Sequence, residues 1–397
     1  MNAVMAMTGA VSSIAISDDL GPRWASVPNA LSVISTGVGA LLLTMIMNRI
    51  GRMRALRLGY LIAVGGALLA AVTTLVDLGA ALPLLIAALL IGPGNSAAQL
   101  SRYAAAELAP PRHHGLVLSL LVWAGAFGAV LGPLAIGPGS RLSARIGRSG
   151  LAGPFVIALS AAILAAVVLS IMVRRSPRQE GADRVAAMSI KVLLAAPFAR
   201  APLAVMIVAQ SVMALIMTAL PPAMHADGRD LGMVGMMLSA HTAGMFVLSP
   251  VSGRLADRIG PRRVMLAGLL LLGCAATLAA ASRGFGVPTT VAMFLVGYGW
   301  NLCFVGGSAE LVGRLPTAVR LGLEGAVDAT IWGFAAIATL LSTIVMAATG
   351  FRGLALVAGL IIPAAVSAVL LIWRHDNAVE RMARYPGAPA RRWQTWR

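Results

Sequence analysis

Apolar residues in this chain gather into long blocks, and each block stops at charged or turn-forming residues. The blocks run to about 20 residues, the helix length that crosses a hydrocarbon core about 30 Å thick. Twelve can be marked, at 2–17, 25–47, 58–76, 79–101, 115–136, 153–173, 201–224, 232–252, 264–282, 287–309, 321–349 and 353–373. The predicted fold class is an all-α integral membrane protein. Connections are short except at 174–200, which divides the blocks six and six: a first bundle at 1–173, a central loop at 174–200, a second bundle at 201–373 and a basic tail at 374–397. The first block offers only about 16 residues before Asp18, short for a full crossing. Either the helix is short or the true start lies upstream, and both readings stay open.

Composition agrees. Hydrophobic residues make up 59% of 397 and charged residues 11%, with a mean hydropathy of +0.87. A soluble protein of this size has too much surface to cover with so few charges. The net charge of +17 does not mark a nucleic-acid binder, because the basic residues sit in loops between apolar blocks and form no continuous face. With both termini on one side, 24 of the 31 basic residues lie on that side and 7 on the other. Basic loops stay cytoplasmic in membrane proteins, so both termini are expected in the cytoplasm of a bacterial inner membrane. The exception is Arg141, Arg145 and Arg148, placed in an outer loop. No basic segment precedes the first block, so no cleavable signal peptide is expected.

Two short basic loops about two hundred residues apart read alike. One is Gly253-Arg-Leu-Ala-Asp257-Arg258-Ile-Gly260-Pro-Arg262-Arg263, the other Asn48-Arg49-Ile-Gly51-Arg52-Met-Arg54. A second repeat is in register with them: Ala106-Glu107-Leu108 before Arg112, and Ala309-Glu310-Leu311 before Arg314. A duplicated bundle places its solute site between the halves near the midplane, so the pattern points to a transporter. Enzyme signatures are missing: there is no H-E-x-x-H, no G-x-S-x-G with suitable partners and no P-loop, so neither catalysis nor direct ATP-driven pumping is expected. Cys274 and Cys303 both fall inside apolar blocks, without metal-ligand spacing; no disulfide, metal or cofactor is expected. The expected partners are a small-molecule solute, the lipid bilayer and protons, for a monomer.

These residues resemble the major facilitator superfamily. Gly253–Met265 looks like its inter-helix signature G-x-L-a-D-r-x-G-r-[RK], with Pro261 off pattern. The first-half copy is weaker, with Thr44 where Gly is usual and Asn48 where Asp is usual. Gly125-Ala-Phe-Gly128-Ala-Val-Leu-Gly132-Pro133 looks like the G-x-x-x-G-P core of the family's antiporter signature, its trailing glycine pair incomplete at Ile136-Gly137. Tyr103–Pro111 is similar to the inner end of the fourth helix in bacterial members. The resemblance implies twelve helices in two pseudo-symmetric six-helix bundles, export by proton antiport, and a gate built from the duplicated loops. One departure counts against proton coupling. Many drug–proton antiporters carry Arg four residues before the first Gly of a G-x-G; here the pair is Gly92-Pro-Gly94 and the position is Ala88.

Candidate residues follow in groups. Asp257, Arg258, Gly260, Arg262 and Arg263, with Arg49, Gly51 and Arg52, form the expected gate, since a carboxylate there can take bonds from a helix N-terminus and arginines can bridge to acids of the other half. Asn48 cannot supply the charge, so Arg49 or Arg52 is expected to pair with Glu324 across the halves; Glu107 and Glu310 belong to the same network. His241 and Asp328 are the proton-coupling candidates, because ionisable groups deep in a span are costly unless used. The expected cavity lining is Asn29, Asn95, Gln99, Trp123, Gln210, Trp300, Asn301 and Trp332: amides that orient a ligand and flat apolar rings. No span carries a mid-membrane Arg or Lys, so the solute expected is neutral or amphipathic rather than strongly anionic. Gly125, Gly128 and Gly132 allow close helix contact and Pro133 bends its helix. A metabolite or vitamin importer without proton coupling is the alternative; a membrane receptor or enzyme is the alternative of another class.

Overall fold

The computed structural model describes residues 1–76, 81–107, 125–175, 197–313 and 317–383. Within them the first half holds α1 (Asn2–Leu20), a 3-10 turn (Pro22–Trp24), α2 (Val27–Ile50), α3 (Arg52–Val76), α4 (Ala81–Glu107), α5 (Gly125–Leu134), α6 (Ile136–Arg145) and α7 (Ala152–Arg175). The second half holds α8 (Pro197–Ala226), α9 (Leu231–Phe246), α10 (Ser249–Ile259), α11 (Pro261–Ala281), α12 (Val287–Gly313) and α13 (Thr317–Ala383). Among the described residues ten stretches are long and apolar enough to cross a membrane. The last of these, Val327–Asp376, is bent at Gly350 (φ 69°, ψ 178°) and makes two crossings. The α5–α6 pair makes another, which gives twelve. Large apolar side chains point outward, with Leu360 73% and Ile344 65% exposed. That is the surface a bilayer covers.

The duplication is written into the backbone. Gly51 alone separates α2 from α3, at φ 88° and ψ 151°; Gly260 alone separates α10 from α11, at φ 90° and ψ 148°. A positive φ of this kind suits only glycine. The predicted basic loops are therefore single-residue corners, and Arg52, Arg54 and Arg57 belong to the first turns of α3. Pro261, off the signature pattern, occupies the first helical position, where its missing N–H costs nothing. Eight residues past each corner stands another glycine. A methyl on Gly59 would meet Pro93 O at 2.8 Å, and one on Gly268 would meet Cys303 N and Gly299 O at 2.8 Å. So α3 lies tight on α4, and α11 tight on α12, by the same device.

Among the described residues the halves meet along three main helix seams: α1 with α8, α2 with α13, and α6 with α9. By crossing number these are 1 with 7, 2 with 11 and 5 with 8. Adding six to each number exchanges the second seam with the third and returns the first to itself, as a twofold relation between the halves requires. At the α5/α6–α9 seam, Gly235 presses on Pro133 O, and a methyl on Gly137 would lie 2.6 Å from Gly232 Cα.

Two predicted crossings are broken rather than continuous. The fifth breaks at Ala135, just after Pro133, and continues as α6, so Arg141 and Arg145 lie on a helix and not in the loop expected for them. Arg148 donates to Leu75 O at 3.0 Å and ties the end of α6 to that of α3. The eighth breaks at Val247–Leu248, ahead of Pro250. The twelfth helix also runs on to Ala383, ten residues into the predicted tail. The predicted central loop is helical at both ends, since α7 reaches Arg175 and α8 starts at Pro197; residues 176–196 and 384–397 lie outside the described residues.

Candidate functional site

The gate residues come first because the corners place them. Asp257, Arg258 and Arg263 are exposed on either side of Gly260, and Asp257 has no partner among the described residues. Arg262 turns back into its own half. Its Nε donates to Glu310 Oε1 at 3.1 Å, and its guanidinium sits 5.6 Å from the centre of the Trp373 ring. Glu310 is 10% exposed, so this charge-assisted bond holds a carboxylate that has lost most of its water. In the first half Arg52 donates to Leu100 O at 3.4 Å, and Arg49 is exposed. Both described contacts stay within one half. The expected pairing of Arg49 or Arg52 with Glu324 falls on a side chain outside the described residues, as does that of Glu107, and Trp123 lies there entirely.

At mid-depth the second half builds an aromatic and amide cluster. Trp300 on α12 stacks on Phe304 with ring centres 4.0 Å apart and 25° between planes; Phe246, at the end of α9, meets the same indole edge-on at 6.5 Å. Trp300 Nε1 donates to Gln210 Oε1 on α8 at 2.7 Å. These faces carry no charge. In the first half, helical spacing sets Ala88, Asn95 and Gln99 (i, i+7, i+11) on one face of α4. Asn95 is 2% exposed, and its amide has no hydrogen-bond partner among the described residues. An unpaired buried amide is costly, and a bound solute is one way to satisfy it. Among the described residues there is no cluster of three metal-ligating side chains.

Other predicted residues are committed to the scaffold. Asn29 donates to Ser13 Oγ at 3.2 Å and braces α1 on α2. Asn301 donates to Met245 O and to Ser249 Oγ at 2.7 Å each, and accepts from Ser252 Oγ at 2.5 Å. Both ends of that amide therefore serve the break between α9 and α10. Trp332 packs with Ala214, Leu215 and Val33 where α2 meets the second half. His241 is buried, with Nδ1 3.1 Å from Met293 O, at a crossing so tight that Gly244 and Gly297 meet backbone. Asp328 is half-buried on α13. In the antiporter-like helix, Gly132 packs on Ala3 of α1 (a methyl there would lie 2.5 Å from Ala3 Cβ), while Gly125 and Gly128 are half-buried and a methyl on Gly128 would lie 4.0 Å from Ala3 Cβ.

Sequence reasoning missed the polar ties across the halves. Pro133 has no N–H, so the carbonyl of Ala129, four residues back, loses its helical donor. Thr242 of the other half donates to that oxygen at 2.9 Å, and Ser239 donates to Val130 O at 2.7 Å. At one end of the α1–α8 seam His225 Nε2, on α8, sits 3.2 Å from Asp18 Oδ2, on α1. A cavity of about 320 Å³ opens at the same end between Asp227, Phe285, Phe351 and Arg352. Its charged walls are already used: Asp227 pairs with Arg229 at 3.0 Å, and Arg352 donates to Ala280 O at 2.8 Å.

Comparison with known proteins settles the family. Over 358 residues the chain is 31% identical to YdeG of Bacillus subtilis, an uncharacterized MFS-type transporter, covering 85% of this chain and 81% of that one. The chain belongs to the major facilitator superfamily. The Major Facilitator Superfamily family model matches residues 203–396. YddS of B. subtilis, also named an uncharacterized MFS-type transporter, is 29% identical over 323 residues, covering 77% of this chain and 72% of its own. The riboflavin transporter RfnT of Brucella anthropi is 25% identical over 336 residues, with 83% and 82% covered. As a member of the superfamily this is a multi-pass membrane transporter and not an enzyme. In this transporter the two bundles meet along glycine and hydroxyl contacts, and a charge-free aromatic cluster lies at mid-depth in the second.

Proposed function

We propose that this transporter moves a neutral or amphipathic, ring-bearing organic molecule by alternating access, outward across the bacterial inner membrane in exchange for protons. The observation that carries the solute class is the Trp300–Phe304–Phe246 group with Gln210 beside it. Stacked rings receive a flat apolar surface, and the amides of Gln210 and Asn95 orient its polar edge. The arginine bias supports the orientation, with the Gly260 end cytoplasmic. Asp328 is the proposed proton carrier, because His241 is spent on a packing contact and Ala88 stands where a relay Arg would. A second reading, vitamin uptake without proton coupling, is favoured by Ala88 and by the relative named a riboflavin transporter, since riboflavin is an uncharged flat heterocycle.

Reconstituted vesicles separate the two. A solute found by thermal stabilisation of the purified protein is expected to move against its gradient when protons flow the other way, and Asp328→Asn is expected to remove that coupling while leaving downhill exchange. Uptake indifferent to an imposed pH gradient selects the second reading. Trp300→Ala is expected to weaken apparent affinity roughly tenfold, the worth of one good aromatic contact, with protein yield unchanged. Equal affinity would remove the aromatic face from the site.

A further inference from the structure

We propose that the contact of Asp18 with His225 is a proton-operated latch that holds the Asp18 end of the transporter shut. This rests on the alternating-access reading but not on the solute or the direction. The pair joins the last turn of α1 to the last turn of α8, so it spans the seam between the halves. Its atoms are 3.2 Å apart and its side chains 55% and 40% exposed, open to protons from the adjacent water.

Acidic and partial negative charges surround the imidazole. Two helix C-termini converge here, each with the negative end of its dipole, and Asp19 adds a second carboxylate on α1. The positive groups nearby are committed or lie on other elements. Arg23 sits on the 3-10 turn that packs on α1 and α13, Arg229 pairs with Asp227, and Arg352 of α13 is bonded to Ala280 O. Asp230 caps α9 through Met233 N, and Arg283 is exposed after α11. Histidine titrates near neutral pH. Protonated His225 attracts Asp18 and favours closure; neutral His225 keeps at most a hydrogen bond, and the halves part more readily. The ties of the neighbouring α5/α6–α9 seam, Thr242 to Ala129 O and Ser239 to Val130 O, do not titrate, so the latch adds a pH-dependent term to a fixed one.

The test uses the full chain in lipid nanodiscs, with no solute and equal pH on both faces. In a background with Cys274 and Cys303 replaced by alanine, spin labels at Ala144→Cys on α6 and Val287→Cys on α12 report the separation of the halves at that end by double electron–electron resonance. The ratio of closed to open forms is expected to rise about threefold from pH 8 to pH 5.5, the scale of an exposed ion pair. His225→Gln and Asp18→Asn are each expected to flatten that response. The exchanged pair, Asp18→His with His225→Asp, is expected to restore it. Both side chains are exposed, so the variants keep the fold. A wild type that ignores pH, or single variants that respond as the wild type does, overturns the proposal. A protein that passes this test and moves no solute in vesicles keeps the latch and loses the export reading.

Discussion

Gly235→Val is expected to abolish transport while leaving the protein in the membrane. Gly235, Ser239 and Thr242 form one stripe on α9 (i, i+4, i+7) that lies against Pro133, Val130 and Ala129. The glycine touches Pro133 O with no room for a methyl, and backbone carbonyls cannot rotate aside as side chains can. Any larger residue must push α9 off α5. That lengthens both hydroxyl contacts and leaves the Ala129 carbonyl, already without its helical donor, unpaired in lipid at a cost of about 1–3 kcal/mol. Gly235→Ala should show the same defect in part, with transport reduced about tenfold, the effect of roughly 1.4 kcal/mol on closure. Gly65→Ala is the control. It sits on the exposed face of α3 with nothing within 4 Å of an added methyl, and is expected to transport normally. Transport and cross-linking across the seam are the measurements; a Gly235→Val protein that works normally would mean the seam does not close during the cycle.

Much of the architecture could be read from apolar block length and arginine placement, because both obey the bilayer and not local packing. The repeat was legible at Gly51 and Gly260, and the structure gives these two corners the same backbone angles. The glycines eight positions later, Gly59 and Gly268, repeat as well, but a glycine inside an apolar block reads as generic small-residue packing until a partner helix is in view. The helix breaks were less legible. Pro133 announces a bend, yet nothing in the string says that the helix resumes as α6 and carries Arg141 and Arg145 with it. Nor does Pro250 reveal a break two residues before it. The seam ties were not legible at all. Asp18 and His225 are more than two hundred positions apart, and only the fold tells an isolated acid from a paired one.

Candidate site residues divide along the same line. Amides and tryptophans in apolar blocks were picked on chemistry alone, and chemistry does not distinguish a ligand-binding amide from one used by the scaffold. Asn95 makes no hydrogen bond among the described residues, and Gln210 accepts from Trp300 Nε1. Asn29 and Asn301 are bonded within the helices, and His241 is taken up by a backbone carbonyl. For Asn301 the deciding factor is the supply of unpaired backbone groups nearby. A broken helix produces such groups, and the nearest amide is drawn to them.

Asn301→Leu is therefore expected to damage the fold of α9–α10 rather than solute affinity. At the break between Phe246 and Ser249 the helical ladder is interrupted inside the second half, and Asn301, 3% exposed, takes up Met245 O, Ser249 Oγ and Ser252 Oγ at once. Leucine fills a similar volume and satisfies none of the three. At about 1 kcal/mol for each net hydrogen bond lost, the cost is about 3 kcal/mol, seen as a lower thermal midpoint and easier proteolysis near Leu248. Ser249→Ala and Ser252→Ala should each cost about 1 kcal/mol in the wild type and close to nothing beside Asn301→Leu, because residues of one network do not add. An Asn301→Leu protein of normal stability but weak solute binding would return Asn301 to the cavity lining. The brace lies on the path between two candidate sites: α10 carries Arg254, Asp257 and Arg258 toward the Gly260 corner, and one amide on α12 ties the break to the helix that bears Trp300, one residue away from the brace.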